Sequence, residues 1–143
     1  VPEGEYLIPF GQARTVVAGS DITIVAMSRM VVIAEQAAAQ LKEKGISAEV
    51  IDLRTLSPLD EGAVLESLAK TGRLVVVDES NPYCSMASEI AGLAVERGFD
   101  TLDAPVKRVT APHTPVPATP CLETEYVPNA AKVIAAVEET LAY

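Results

Sequence analysis

Apolar residues along this chain follow two rhythms, and the alternation between them predicts its architecture. Residues 22–27 form a continuous strand-like apolar run, after which Ile33, Ala34, Ala37, Ala38 and Leu41 recur at the spacing of one helix face. Gly45 stops that helix. The pattern repeats with a strand over 48–53. Ser57-Pro58-Leu59-Asp60 then brings a hydroxyl, a proline and an acid in the order a helix start favours. Val64, Leu65, Leu68 and Ala69 are expected to face the core before Gly72 ends the helix. A third strand over 74–78 leads through Asn81-Pro82 into a helix with Ile90, Ala91 and Ala94 inward and Gly98 closing it. Residues 106–110 make a less apolar strand, suited to a place near a sheet edge. Four prolines in 111–120 exclude a helix there and predict an extended surface segment. Asn129 caps a closing helix whose Ala130, Val133, Ile134, Val137 and Leu141 form one stripe.

Strands joined by helical segments of this length run parallel with right-handed crossovers, so the fold class is α/β, a three-layer α/β/α sandwich. Residues 13–18 are expected to add a short edge strand. The chain then divides into a linker and edge strand over 1–19 and one domain over 20–143, with no internal repeat.

Composition sharpens this picture. With 143 residues, nearly half apolar but only four tyrosines and two phenylalanines, the core is built from Val, Ile, Leu and Ala, which suits helix-on-sheet layers. The net charge of −9 argues against nucleic acid, whose phosphates need clustered Lys and Arg, and favours basic protein partners. Apolar runs are too short to cross a bilayer and no leader opens the chain, so a soluble, cytoplasmic protein with no membrane partner is expected. Cys84 and Cys121 lack zinc-site spacing and fit a reducing compartment. The chain opens on Val1 instead of methionine, which suggests a piece of a longer polypeptide.

In open α/β sheets ligands gather beyond the carboxyl ends of the strands. The first such loop, Ser28-Arg29-Met30, has no glycine to admit a dinucleotide phosphate. The loop after the third strand offers Asp78, Glu79, Cys84 and Ser85, and with the lone His113 it sketches a Cys-His-Asp hydrolase. Met86, however, stands where a nucleophile elbow wants glycine. The plainer reading makes Cys84 a buried packing residue, His113 a loop hydrogen-bonder, and Asp78-Glu79 solvated strand-end acids. Asp103, just before Ala104-Pro105, reads locally as a turn former. Residue chemistry alone assembles no mechanism.

A longer ordered series of segments carries more information. Val1-Pro2-Glu3, Ile8-Pro9-Phe10-Gly11, Asp21-Ile22-Thr23-Ile24-Val25 and Ala48-Glu49-Val50-Ile51-Asp52-Leu53-Arg54-Thr55-Leu56-Ser57-Pro58-Leu59-Asp60 come first. Lys70-Thr71-Gly72-Arg73, Leu102-Asp103-Ala104-Pro105, Arg108-Val109-Thr110 and Val127-Pro128-Asn129 follow. Together they resemble the C-terminal, transketolase C-terminal-like domain of the beta subunit of thiamine-diphosphate-dependent 2-oxo-acid dehydrogenases, the decarboxylase component of pyruvate, branched-chain and acetoin dehydrogenase complexes. The resemblance implies a mostly parallel five-stranded sheet with one antiparallel edge strand. It implies that thiamine diphosphate and Mg belong to the parent enzyme, between the alpha subunit and the N-terminal domain of the beta subunit, and that this fragment binds no cofactor or metal and carries no catalytic residue.

The implied role is assembly: pairing with a second beta subunit across a two-fold axis, and holding the small basic subunit-binding module of dihydrolipoyl acyltransferase. Asp103 and the chain-terminal carboxylate on Tyr143 match the family positions that receive basic side chains of that module. Ser85 and Met86 depart from the glycine-like residues usual after the loop cysteine, and Ala111-Pro112-His113-Thr114-Pro115 resembles the acetoin-type members more than the pyruvate-type ones. Beside this stand two other classes, an independent Cys-His hydrolase and a flavodoxin-like module for a nucleotide or phosphate.

Overall fold

The computed structural model describes residues 3–143, so the expectations resting on Val1 and Pro2 lie outside the described residues. Five strands, β1 (Arg14–Val17), β2 (Ile22–Ala26), β3 (Ala48–Asp52), β4 (Leu74–Val77) and β5 (Lys107–Val109), form one sheet in the order β1-β3-β2-β4-β5. Only the β1–β3 pair is antiparallel, and it is bulged between Thr15 and Val17. This is the expected parallel sheet with an antiparallel edge strand. The less apolar β5 occupies the opposite edge, as its composition predicts.

Alternation along the strands sorts the core into two layers. Ile22, Ile24, Val50, Val75 and Val77 face α1 (Arg29–Glu43) and α5 (Ala130–Leu141), where Ala34, Ala38, Leu41, Val133 and Val137 close the packing. Val25, Ile51, Leu74 and Val76 face α2 (Glu61–Thr71) and α3 (Met86–Gly98), against Val64, Leu68, Ile90 and Ala94. In the register of the central strands Ile24 sits between Val50 and Val75, all fully buried. Burial of each such side chain stabilises the fold by about 1.5–3 kcal/mol, which is why a sheet covered on both faces can consist of nearly continuous apolar runs.

Several local expectations are corrected. The cap of α2 is Asp60, not the Ser57-Pro58 pair: Asp60 Oδ1 accepts the Ala63 N–H at 3.1 Å, while Leu56 and Leu59 form a bridge that holds 56–59 as a turn. The other carboxylate oxygen of Asp60 accepts the Ala13 N–H at 2.8 Å and ties the approach to β1 onto α2. Ala69 is exposed, and the inner face of α2 runs instead through Val64, Ser67, Leu68 and Thr71, because two hydroxyls there meet polar partners on the sheet. Gly98 closes α3 as expected, and the chain passes directly into a 3-10 turn, Phe99–Thr101; a side chain at Gly98 would press on Leu68. A short helix, α4 (Pro120–Tyr126), follows the proline-rich segment and has no buried residue, so no apolar stripe betrays it. Asn129 caps α5 as expected, accepting the Lys132 N–H at 3.0 Å.

Because Asp60 serves two backbone donors at once, Asp60→Ala is expected to cost about 1–2 kcal/mol, read as a lower urea midpoint with an unchanged slope. A loss below a few tenths of a kcal/mol would show that water replaces both bonds.

Candidate functional site

The end of the sheet where the parallel strands finish carries three non-glycine residues in the left-handed region: Ser28 after β2, Arg54 after β3 and Cys84 after β4. The residues sketched as a hydrolase meet here but do not assemble. Asp78 is buried, and its carboxylate accepts the Ser80 N–H at 2.9 Å and the Ala87 N–H at 3.2 Å, so it organises the loop instead of orienting a histidine. This corrects its reading as a solvated acid; Glu79 alone is exposed. Cys84 is exposed, not buried packing, because the left-handed turn throws it outward ahead of Ser85, which caps α3. His113 packs edge-to-face against Tyr83 with ring centroids 4.6 Å apart. Among the described residues no hydrogen bond joins it to Cys84. Arg108 fixes the loop by donating to the Pro82 carbonyl at 2.8 Å and the Ser88 hydroxyl at 2.6 Å.

At the opposite end, where the parallel strands begin, the chain presents acidic groups on a rim. Asp103 follows the 3-10 turn, and its N–H donates to the Gly72 carbonyl at 2.8 Å. Gly72 has φ +68°, a conformation that favours glycine, and a Cβ there would meet the exposed Asp103 carboxylate. The Asp103 side chain is 64% exposed, and Arg73 Nη1 lies 3.7 Å from its Oδ2. Beside Asp103 an open groove of about 550 Å3 runs over Val95, Phe99, Leu102 and Pro105, with Phe99 69% exposed. Tyr143 is exposed at the end of α5. Lys107, the first residue of β5, pairs with Glu139 in the last turn of α5, which places Asp103 and Tyr143 at the same end of the sheet. The hydrogen bond that Lys107 donates to Glu139 raises the Lys107 pKa above its ordinary value; desolvation opposes this, and attraction to Glu139 and Tyr143 adds to it.

A buried polar network backs the rim. Glu49, on the α2 side of β3, accepts from the Ser67 hydroxyl at 2.6 Å, from Lys70, and from the Gly19 N–H at 3.3 Å. Burial pushes its carboxyl up, but the bonds from Lys70, Ser67 and Gly19 outweigh that and hold it below the usual value. Thr23 joins Ser67 at 2.6 Å and Thr71 at 2.7 Å, and the Thr23 N–H and Thr71 hydroxyl both donate to the Arg73 carbonyl, at 2.9 and 3.2 Å. Gly72 ends α2 in the left-handed conformation, as its sequence position predicts, but sequence reasoning gave Arg73 no role of its own. The available signal was a helix-ending glycine followed at once by a cation.

Among the described residues no group of three or more His, Cys, Asp or Glu could hold a metal ion, and no helix is long and apolar enough to cross a membrane. The loop after β2, Ser28-Arg29-Met30, has no glycine through which a diphosphate could approach the backbone.

Comparison with known proteins adds the following. The family described as "Transketolase, C-terminal domain" matches residues 11–133. The chain is 53% identical over 141 residues to the beta subunit of acetoin:2,6-dichlorophenolindophenol oxidoreductase of Bacillus subtilis (strain 168), covering 99% of this chain and 41% of that protein. It is 44% identical over 136 residues to the pyruvate dehydrogenase E1 component subunit beta of Leifsonia xyli subsp. xyli, covering 95% of this chain and 40% of that protein. It thus spans about two fifths of the length of these curated relatives. A solved structure titled "Split gene transketolase, inactive beta4 tetramer" superposes with a TM-score of 0.84 at 31% identity, over 94% of this chain and 44% of that one. A transketolase from Pichia stipitis, at 16% identity and a TM-score of 0.65 over 92% of this chain and 18% of that one, shares the fold.

Proposed function

The chain belongs to the transketolase C-terminal domain family, and from that premise we propose that it is the C-terminal assembly domain of the beta subunit of a 2-oxo-acid dehydrogenase decarboxylase component, of the acetoin type. The parent enzyme oxidatively decarboxylates a 2-oxo acid or cleaves acetoin and passes the acyl group to a lipoyl arm. Thiamine diphosphate and magnesium act at the alpha subunit and the N-terminal domain of the beta subunit, in the cytoplasm. This domain pairs with a second beta subunit and docks the basic subunit-binding module of dihydrolipoyl acyltransferase. Higher identity to the acetoin-type relative than to the pyruvate-type one supports the substrate class.

The observation that carries the assembly role is the acidic rim: an exposed Asp103 carboxylate, on a backbone tied to the Gly72 carbonyl, sharing one end of the sheet with Tyr143 and bordered by an apolar groove. A carboxylate so placed accepts charge-assisted hydrogen bonds from Arg or Lys, and the negative field of a −9 chain speeds encounter with a basic partner. A module without two-fold symmetry seated on the axis between two beta subunits blocks its own second copy, giving one module per pair. The hydrolase and the flavodoxin-like readings are not favoured, since Asp78 is engaged by backbone donors and the loop after β2 lacks a phosphate-admitting glycine.

In the assembled enzyme, Asp103→Arg is expected to weaken binding of the subunit-binding module by about tenfold or more at low salt, measured by calorimetry. Unchanged affinity under those conditions would remove Asp103 from the docking surface.

A further inference from the structure

We propose that Arg73 is a resident competitor at the docking rim: a fixed cation beside Asp103 that lowers the affinity of that carboxylate for a basic partner. The inference rests on the assignment of Asp103 to the docking surface and adds the group that regulates it.

Two features separate Arg73 from a residue that holds Asp103 in place. Its Nη1 stands 3.7 Å from Asp103 Oδ2, beyond hydrogen-bond length, so the acceptor positions of the carboxylate stay open. Asp103 is positioned by other means, through its N–H on the Gly72 carbonyl and the close approach to Gly72. What Arg73 contributes to the rim is therefore charge. Nor is that charge free to move off: the side chain is only 27% exposed, its Nε is buried without a partner, and its carbonyl is pinned by Thr23 and Thr71. The Asp21 carboxylate adds a weaker attraction.

A basic side chain reaching Asp103 thus enters a field already partly neutralised. A carboxylate flanked this way binds its partner reversibly, because it meets the incoming cation beside a cation it cannot shed. Screening by salt weakens the attraction to Asp103 and the repulsion from Arg73 together.

The test uses the assembled enzyme with the subunit-binding module of dihydrolipoyl acyltransferase as probe, titrated calorimetrically at low and at moderate salt. Arg73→Gln is expected to tighten binding about three- to tenfold at low salt and to steepen its loss with added salt. Arg73→Lys, which keeps the charge, should bind like the parent. Arg14→Gln on the far edge strand, an equal change in net charge, should leave affinity where it was. If the glutamine variant melts early, Arg73→Met keeps the apolar stem and carries the same expectation. Weaker or unchanged binding by Arg73→Gln, alongside weakened binding by Asp103→Asn, overturns the competitor while the docking role of Asp103 stands. Unchanged binding by Asp103→Asn overturns both.

Discussion

Alanine in place of Gly19 is expected to destabilise the domain by about 3 kcal/mol, lowering its thermal midpoint by roughly 10 °C at this chain length. Gly19 sits between β1 and β2 with its α-carbon pressed against the start of β3, and an added methyl group would overlap the Ala48 carbonyl carbon and the Glu49 nitrogen. Both are backbone atoms of a paired strand, which cannot step aside as a side chain end can. The same shift would pull the Gly19 N–H from Glu49. Differential scanning calorimetry decides the matter; a midpoint within about 2 °C of the parent would mean that β3 gives way cheaply.

The second large effect concerns Glu49 itself. Glu49→Ala removes the acceptor of Ser67, Lys70 and Gly19 at once and is expected to cost about 2–4 kcal/mol near neutral pH. The Lys70 ammonium is half exposed and re-solvates, so the loss sits toward the lower part of that range. The sign with pH follows from the direction of the shift. The folded-state pKa of Glu49 lies below its ordinary 4.5, so its contribution is fully present above about that value and is lost as pH falls through the folded pKa. Urea unfolding at pH 7 and again well below pH 4 should therefore show the gap between parent and variant narrowing in acid. A gap that stays constant would assign the loss to packing and not to the carboxylate.

Elements that pack by simple periodicity were legible from the sequence. The buried runs of β2 and β4, the helix face of Ala34, Ala37, Ala38 and Leu41, and the cap at Asn129 each follow from one local rule. Misreadings arose where a polar side chain took an inward position. Ser67 and Thr71 displace Ala69 from the inner face of α2 because Thr23 and Glu49 meet them from the sheet, a pairing forty or more residues distant for Thr23 that no window of sequence reveals. Asp78 looked solvated because its acceptors' partners, the Ser80 and Ala87 N–H groups, belong to the fold of the loop and not to its composition. Cys84 looked like packing because a left-handed turn at a non-glycine residue leaves no mark in the residue type. The edge strand was legible in residues 13–18, but its antiparallel direction and the rim at Asp103 came into view only through resemblance, since an aspartate before Ala-Pro is locally a turn former. Arg73 is invisible to that reasoning as well, because its importance lies in a distance.

The two margins of the sheet limit how this domain can be recognised. On one side β1 is interrupted by a bulge, and on the other β5 is three residues long and bears Lys107 and Arg108. Neither offers a long row of open backbone donors and acceptors on which a foreign strand could zip. Any chain meeting these flanks would therefore be read through side-chain charge and shape, with the hydrogen-bonded scaffold beneath left intact.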